Sequence, residues 1–281
     1  LITGKESYSG SGAKEKIEQY LLKYTYVRFY DFEKNPKYED VLSGLSIFRK
    51  NNCDLILAVG GGSVIDMGKN INAFQSSHDN NYIEFVRKNL IKNKGVPLIA
   101  IPTTSGTGSE ATHFSVIYID KIKYSLSSKH LIPKNAIIDP TFCFFQSRYQ
   151  IASSGMDAFC QAIESYWAVN STNLSKEYAM KSIKLCHYNI VNAVKNKNKD
   201  AICNMSIAAC YSGKAINISK TTAPHSVSYP ITSYIGIAHG HAVSITLPQF
   251  MKFNYNITCK TNNDSRGLEY VINTIDDILK A

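Results

Sequence analysis

The sequence predicts an α/β N-terminal half built on a mostly parallel sheet, followed by an all-α half. Two observations carry this expectation. Up to Gln150, short apolar runs alternate with helix-like segments, the pattern of a doubly wound sheet with helices on its faces. After Ile151 the strand signal fades and apolar residues recur at helical spacing. The expected domains are therefore residues 1–150 and 151–281.

The elements follow in order. Residues 54–59 form a short apolar run of the kind buried in a sheet. Gly60-Gly61-Gly62 comes next, and residues 64–74 then carry helical character. Residues 97–102 read as another strand, running into a loop of small residues at 103–110. Residues 114–119 and 136–138 are further strand candidates. In the second half, helical spacing marks residues 156–168, 174–194 and 201–218, with Ser171, Thr172 and Ser175 available as caps. A last helix-like run covers residues 267–280.

Composition narrows the functional classes. The chain of 281 residues is long enough for two cores, and 44% hydrophobic with 19% charged residues is an ordinary globular balance. No stretch approaches the ~20 apolar residues of a membrane helix, and no secretory leader pattern is visible. Seven cysteines, an odd number without Cys-x-x-Cys spacing, argue for a reducing, cytoplasmic setting. The net charge of +9 comes from scattered lysines, and the densest cluster, residues 195–199, reads as a polar loop between helices. No nucleic-acid signature accompanies it, so a solvated surface or an anionic small substrate is the expectation, with no nucleic acid and no membrane as partner. The chain opens at Leu1-Ile2-Thr3-Gly4, inside an apparent strand, and is expected to be a piece of a longer protein.

The glycine turn is the first segment with chemistry. A strand, a glycine loop and a helix N-terminus offer backbone N–H groups and a positive dipole end to a phosphate. The spacing differs from Gly-x-Gly-x-x-Gly, so a plain tight turn remains an equal alternative for this segment alone. The loop at 103–110 also follows a strand, which puts it at the same carboxyl edge of the sheet, where open α/β sheets bind ligands. Candidate nucleotide-binding residues are Gly60, Gly61, Gly62, Ser63, Asp66, Thr103, Thr104 and Ser109, with Lys123 nearby. Asp66 is expected to support the loop from its helix, or to reach the substrate side.

The second segment with chemistry is a set of metal-ligand types. Asp157 and Gln161 lie four apart, on one face of a helix. With His225 and His239 they could close around one divalent metal, in a crevice between the two halves. The histidines are fourteen residues apart and converge only if a loop such as 233–238 turns the chain. An amide oxygen is a weaker ligand than imidazole for zinc or ferrous iron. His78, His113, His130 and His187 show no partner pattern and read as structural.

Four segments, in order, resemble the iron-activated (group III) alcohol dehydrogenases: residues 60–69, residues 102–110, Gly155-Met156-Asp157-Ala158, and Ala238-His239-Gly240-His241-Ala242-Val243. The resemblance spans nearly the whole chain. It implies a Rossmann-like nucleotide-binding domain followed by a helical metal domain, the dehydroquinate-synthase-like architecture. It also implies a homodimer and several more helices beyond Ala281. By position, Asp157, His225 and His239 match three metal ligands. Gln161 stands where most members have a fourth, a histidine, and Tyr229 where many have a histidine close to the nicotinamide. These departures, with residues 162–167 and 170–172, resemble the phosphonoacetaldehyde reductase (2-hydroxyethylphosphonate dehydrogenase) branch.

The resemblance implies hydride transfer between NAD(P)H and a small aldehyde or primary alcohol, with Fe2+ or Zn2+ polarising the carbonyl oxygen. Asp157 and His239 would act through the metal, and Tyr229 is a proton-relay candidate or, equally, a packing aromatic beside Pro230. The alternatives are another superfamily enzyme, such as a glycerol-phosphate dehydrogenase or a dehydroquinate-synthase-like lyase, and a non-catalytic relative that lost the metal. Many members end their first strand with an Asp that repels a 2′-phosphate. Here Gly4 and Lys5 occupy that stretch, so NADPH is expected to be accepted at least comparably with NADH.

Overall fold

The computed structural model describes residues 1–77 and 81–281; His78 lies outside the described residues. The chain divides into two compact units, Leu1–Thr104 with Ser109–Gln146, and Ser105–Gly108 with Ser147–Ala281.

The first unit is a parallel sheet with helices. Its elements are β1 (Ile2–Thr3), α1 (Ser7–Gly10), α2 (Ala13–Leu21), α3 (Tyr38–Lys50), β2 (Ile56–Gly60), α4 (Gly62–Gln75), α5 (Tyr82–Arg87), β3 (Leu98–Pro102), β4 (Phe114–Ile119), β5 (Ile122–Ser127) and β6 (Asn135–Ala136). The sheet runs β1-β2-β3-β6, all parallel, with Ala58 opposite both Ile2 and Ala100. The central strands are apolar on both faces, as a covered parallel sheet requires. α4 presses Ile65, Met67, Ile71 and Phe74 into that core, and Gly68 lets it lie close, since a Cβ there would sit 3.3 Å from that of Ala58.

One strand expectation holds with its bounds and one needs correcting. Residues 114–119 form the expected strand, and β4 pairs antiparallel with β5 as a separate two-stranded ribbon. The two-residue connection Asp120-Lys121 has φ of 49° and 66°, a turn whose twist suits a hairpin; without Gly or Asn it gives no strong sequence signal. The expected strand at 136–138 is displaced, with ladder pairing only at Asn135–Ala136, on the sheet edge.

The second unit is helical: α6 (Arg148–Trp167), α7 (Asn173–Asn196), α8 (Lys199–Ser219), α9 (Ala223–Pro230), a π-helical turn at Ile231–Ile235, α10 (His239–Tyr255) and α11 (Leu268–Leu279). α6 begins eight residues before the predicted start because Ser147 and Gln150 form a capping box. Thr172 and Ser175 form another at the start of α7, so the expected caps are in use. The core is built around Cys160, Ile163, Ile183, Val243 and Ile275. Among the described residues, no helix is long and apolar enough to cross a membrane, and the seven cysteines form no disulfide.

Candidate metal and nucleotide sites

Three ligand-type side chains converge in the helical unit. α6 supplies Asp157, α9 supplies His225, and His239 is the first residue of α10. The fourteen-residue separation is closed by more than a loop: α9 continues into the π-helical turn, and Gly236, at φ 80°, reverses the chain toward α10. His225 Nε2 lies 3.4 Å and His239 Nε2 4.0 Å from Asp157 Oδ1, and the imidazole rings are 5.3 Å apart. Two ligand atoms on a tetrahedral ion at 2.0–2.1 Å stand about 3.4 Å apart, so the set is the right size for one divalent cation. Asp157 Oδ1 and His225 Nε2 are buried without hydrogen-bond partners. A protonated His225 pairs with that carboxylate; once Nε2 loses its proton the two lone pairs face each other and call for a cation between them. The donor set, two imidazoles and a carboxylate, suits iron or zinc.

The surrounding shell orients these ligands. Glu164, also on α6 and fully buried, accepts from His225 Nδ1 at 2.8 Å and from the His225 backbone N–H at 3.2 Å. Ser228 donates to the His225 carbonyl at 2.7 Å, so its oxygen can accept from His239 Nδ1, 3.5 Å away. Each imidazole is thereby turned with Nε2 toward Asp157. Burial works against a charged His225, but the Glu164 and Asp157 carboxylates outweigh it and push its pKa up to about 9. The same histidines hold Asp157 below the usual carboxylate value in spite of its burial. Gln161, one turn along α6 from Asp157, helps to lower the Asp157 pKa, and its amide oxygen accepts from the Ser212 hydroxyl at 3.2 Å. Tyr229 stacks on His239, with ring centroids 5.9 Å apart. His241, next in the same segment, instead meets the Tyr149 hydroxyl.

Sequence reasoning missed Glu164. The signal was available: positions 157, 161 and 164 share one helical face, and a buried acid on that stripe needs partners.

In the sheet unit, Gly60, Gly61 and Gly62 bridge the end of β2 and the start of α4. Gly61 occupies the N-cap, where Val64 and Ile65 bond back to its carbonyl. Thr103 N–H donates to Gly60 O at 3.0 Å, which brings the second loop beside the first. A Cβ on Gly61 would stand 3.1 Å from the Thr104 methyl group. Thr103 Oγ1 is buried without a partner. Ser63 Oγ accepts from the Asn35 backbone. Asp66 accepts from Ser109 Oγ at 2.6 Å and Val116 N at 3.1 Å, so it braces the loop from the helix. Lys123 lies on β5 opposite Tyr118, and its charge acts on Asp66. Lys69 is fully buried, with Nζ bonded to Ser109 O, Thr112 O, Thr112 Oγ1 and Phe114 O at 2.7–3.1 Å. Burial draws its pKa down to about 8, while the Asp66 and Glu110 charges push back. Ser105–Gly108, the middle of the second loop, packs in the helical unit, where Gly108 lies against Gly213. At the end of β1, Lys5 does not stand alone: it is bridged to Asp31 at 2.8 Å, and both are largely exposed.

A glycine turn on a parallel sheet and an Asp–His–His cluster among helices are the features of a metal-dependent dehydrogenase fold. The sequence matches the iron-containing alcohol dehydrogenase family over residues 1–140, and the C-terminal part of the Fe-containing alcohol dehydrogenase family over residues 151–274. The chain belongs to the iron-containing alcohol dehydrogenase family. It is 31% identical over 225 residues to 1,3-propanediol dehydrogenase of Klebsiella pneumoniae, covering 79% of this chain and 58% of that protein. It is 30% identical over 239 residues to phosphonoacetaldehyde reductase of Streptomyces viridochromogenes, covering 81% and 60%. Sulfoacetaldehyde reductase from Bifidobacterium kashiwanohense, solved in complex with NAD+, is 30% identical with a TM-score of 0.85, over 99% of this chain and 76% of that one. The chain thus spans less than two thirds of the length of these two curated relatives.

Proposed function

We propose that this chain carries the nucleotide-binding and metal-binding parts of an NAD(P)-dependent reductase of small aldehydes, with residues 1–150 serving the nucleotide and 151–281 the metal. The observation that carries this reading is the Asp157–His225–His239 cluster, whose ligand-type atoms all lie within 4.8 Å of one another, two of them, Asp157 Oδ1 and His225 Nε2, buried without a hydrogen bond. Asp157, His225 and His239 would hold the ion, with Gln161 orienting Asp157 or serving as a weak fourth ligand. Such an ion supplies Lewis-acid polarisation of a carbonyl oxygen, and a reduced nicotinamide supplies the hydride. Tyr229, stacked on His239, holds a phenolic proton beside the cluster and is the residue we assign to return a proton to the product oxygen. Gly60, Gly61, Gly62, Ser63, Thr103 and Thr104 would receive the pyrophosphate and ribose, with Asp66, Ser109 and Lys123 shaping the loop around them.

The favoured substrate class is a two-carbon aldehyde bearing an anionic group, phosphonoacetaldehyde first. Two of the similar proteins are named for a phosphonate and a sulfonate aldehyde. A net charge of +9 draws anions toward the surface. The test is metal analysis of the full-length protein together with NAD(P)H oxidation, comparing phosphonoacetaldehyde, sulfoacetaldehyde and uncharged short aldehydes. A protein that binds no metal, or that oxidises NAD(P)H with none of them, would end this reading. Faster turnover of the uncharged aldehydes would end the anionic part alone.

A further inference from the structure

We propose that Glu164 is the positioning residue that sets the metal affinity of this site, an inference that rests on the metal reading of the Asp157–His225–His239 cluster. Its carboxylate makes four contacts to one short segment. Oε1 accepts from the ring Nδ1 of His225 at 2.8 Å and from its backbone N–H at 3.2 Å; Oε2 accepts from the Thr222 backbone N–H at 2.5 Å and from its hydroxyl at 3.2 Å. Thr222 is the N-cap of α9, and its own side chain caps nothing. The free N–H groups at the start of α9 are instead taken by an acid from α6, at the positive end of the helix dipole. One carboxylate therefore fixes both where α9 begins and how the His225 ring is turned.

The chemical consequence concerns the other ring nitrogen. A proton held on Nδ1 by Glu164 leaves the Nε2 lone pair free to bind metal, and Nε2 is the atom that faces Asp157 at 3.4 Å. Asp157 and Glu164 both lie on α6, two turns apart on one face. A single rigid helix thus supplies a ligand and the group that aims a second ligand at it. Without Glu164, the ring is free to rotate or to adopt the opposite tautomer, and each metal-binding event must restore the order that the carboxylate supplies in advance.

The experiment measures zinc and cobalt affinity by chelator competition for the full-length protein and for Glu164→Gln, Glu164→Ala, His225→Ala and Thr222→Val, each with its melting temperature. The parent is expected to bind one ion and His225→Ala to lose it; Glu164→Gln and Glu164→Ala should weaken binding about 10–100-fold. Thr222→Val removes one of the four Glu164 contacts and leaves both contacts to His225 in place, so it should lower the melting temperature and leave metal affinity within about twofold. The proposal is overturned if the Glu164 variants bind as tightly as the parent, or if Thr222→Val and the Glu164 variants lose affinity in step with their melting temperatures. Failure of the parent to bind metal, or full binding by His225→Ala, overturns the metal reading itself. Should both Glu164 variants fail to fold, nitrogen NMR of the zinc-loaded parent decides: His225 must show a protonated, exchange-protected Nδ1, and a protonated Nε2 sinks the idea.

Discussion

Replacing Gly240 by alanine should dismantle the metal cluster while leaving the fold standing. Gly240 is the second residue of α10, one position after His239, and faces α6 where that helix carries Asp157. A Cβ at this position would lie 2.0 Å from the backbone oxygen of Ser153 and 2.8 Å from the Cβ of Asp157. A carbon–oxygen contact settles at about 3.3 Å, so the start of α10 must retreat by about 1.3 Å. The obstacle is backbone inside a helix and cannot rotate away. Metal ligands tolerate only about 0.2 Å of misplacement, so His239 would be carried out of reach of an ion shared with Asp157 and His225. The packing cost, about 1–3 kcal/mol, is that of an overfilled core and spares the far end of the unit. Chelator competition should show metal affinity falling at least about a hundredfold, at the limit usually seen for disturbed metal surroundings. Circular dichroism should show unchanged helix content and a lowered melting temperature. Parent-like metal affinity in Gly240→Ala would refute the argument, because it would mean that the close approach of α10 to α6 does not set the ligand geometry.

Gly61→Val should weaken NAD(P)H binding at least tenfold and cost less than about 1 kcal/mol of stability, since Gly61 has an ordinary φ of −74° and its tight neighbour is the Thr104 side chain; normal NAD(P)H titration would leave the glycine loop a plain turn. The chelator-treated protein should be most stable in acid with respect to His225. Its folded pKa, about 9, exceeds the ordinary 6.5, so the contribution, up to about 3 kcal/mol, is complete below pH 6.5 and is lost as pH rises through 9. Denaturant titrations of the metal-free protein at pH 6 and 9 that show no such loss, or show it equally in His225→Ala, count against it. At the end of β1, Asp31→Asn releases Lys5 from its ion pair and should raise kcat/KM for NADPH several-fold relative to NADH, whereas Lys5→Ala should lower it. An unchanged ratio in both variants would show that this corner does not read the 2′ position.

Much of the molecule follows from local sequence. The apolar run before three glycines marks a buried strand, a tight turn and a helix start, where side chains crowd the backbone: a Cβ on Gly60 would sit 2.4 Å from Val64 and one on Gly61 3.1 Å from Thr104. The caps Thr172 and Ser175 and the spacing of Asp157 and Gln161 are read within one turn of helix, where side-chain neighbours are set by the 3.6-residue repeat. The ligand-type residues are therefore visible in the chain, and so is the helical stripe that Glu164 completes. Other features were decided only by tertiary structure. No local periodicity brings His225 to His239: their meeting depends on the π-helical turn, on Gly236 and on the absence of a Cβ at Gly240. The ribbon of β4 and β5 is antiparallel because Asp120 and Lys121 accept positive φ, a conformation their side chains do not announce. Lys5 reads as a free cation until the fold sets Asp31 beside it, and the Ser212 hydroxyl that bonds the Gln161 amide comes from a helix about fifty residues further on. Residue type and local spacing determine what each side chain can do; which partner it meets depends on contacts between segments far apart in the chain, and those exist only once the helices have packed.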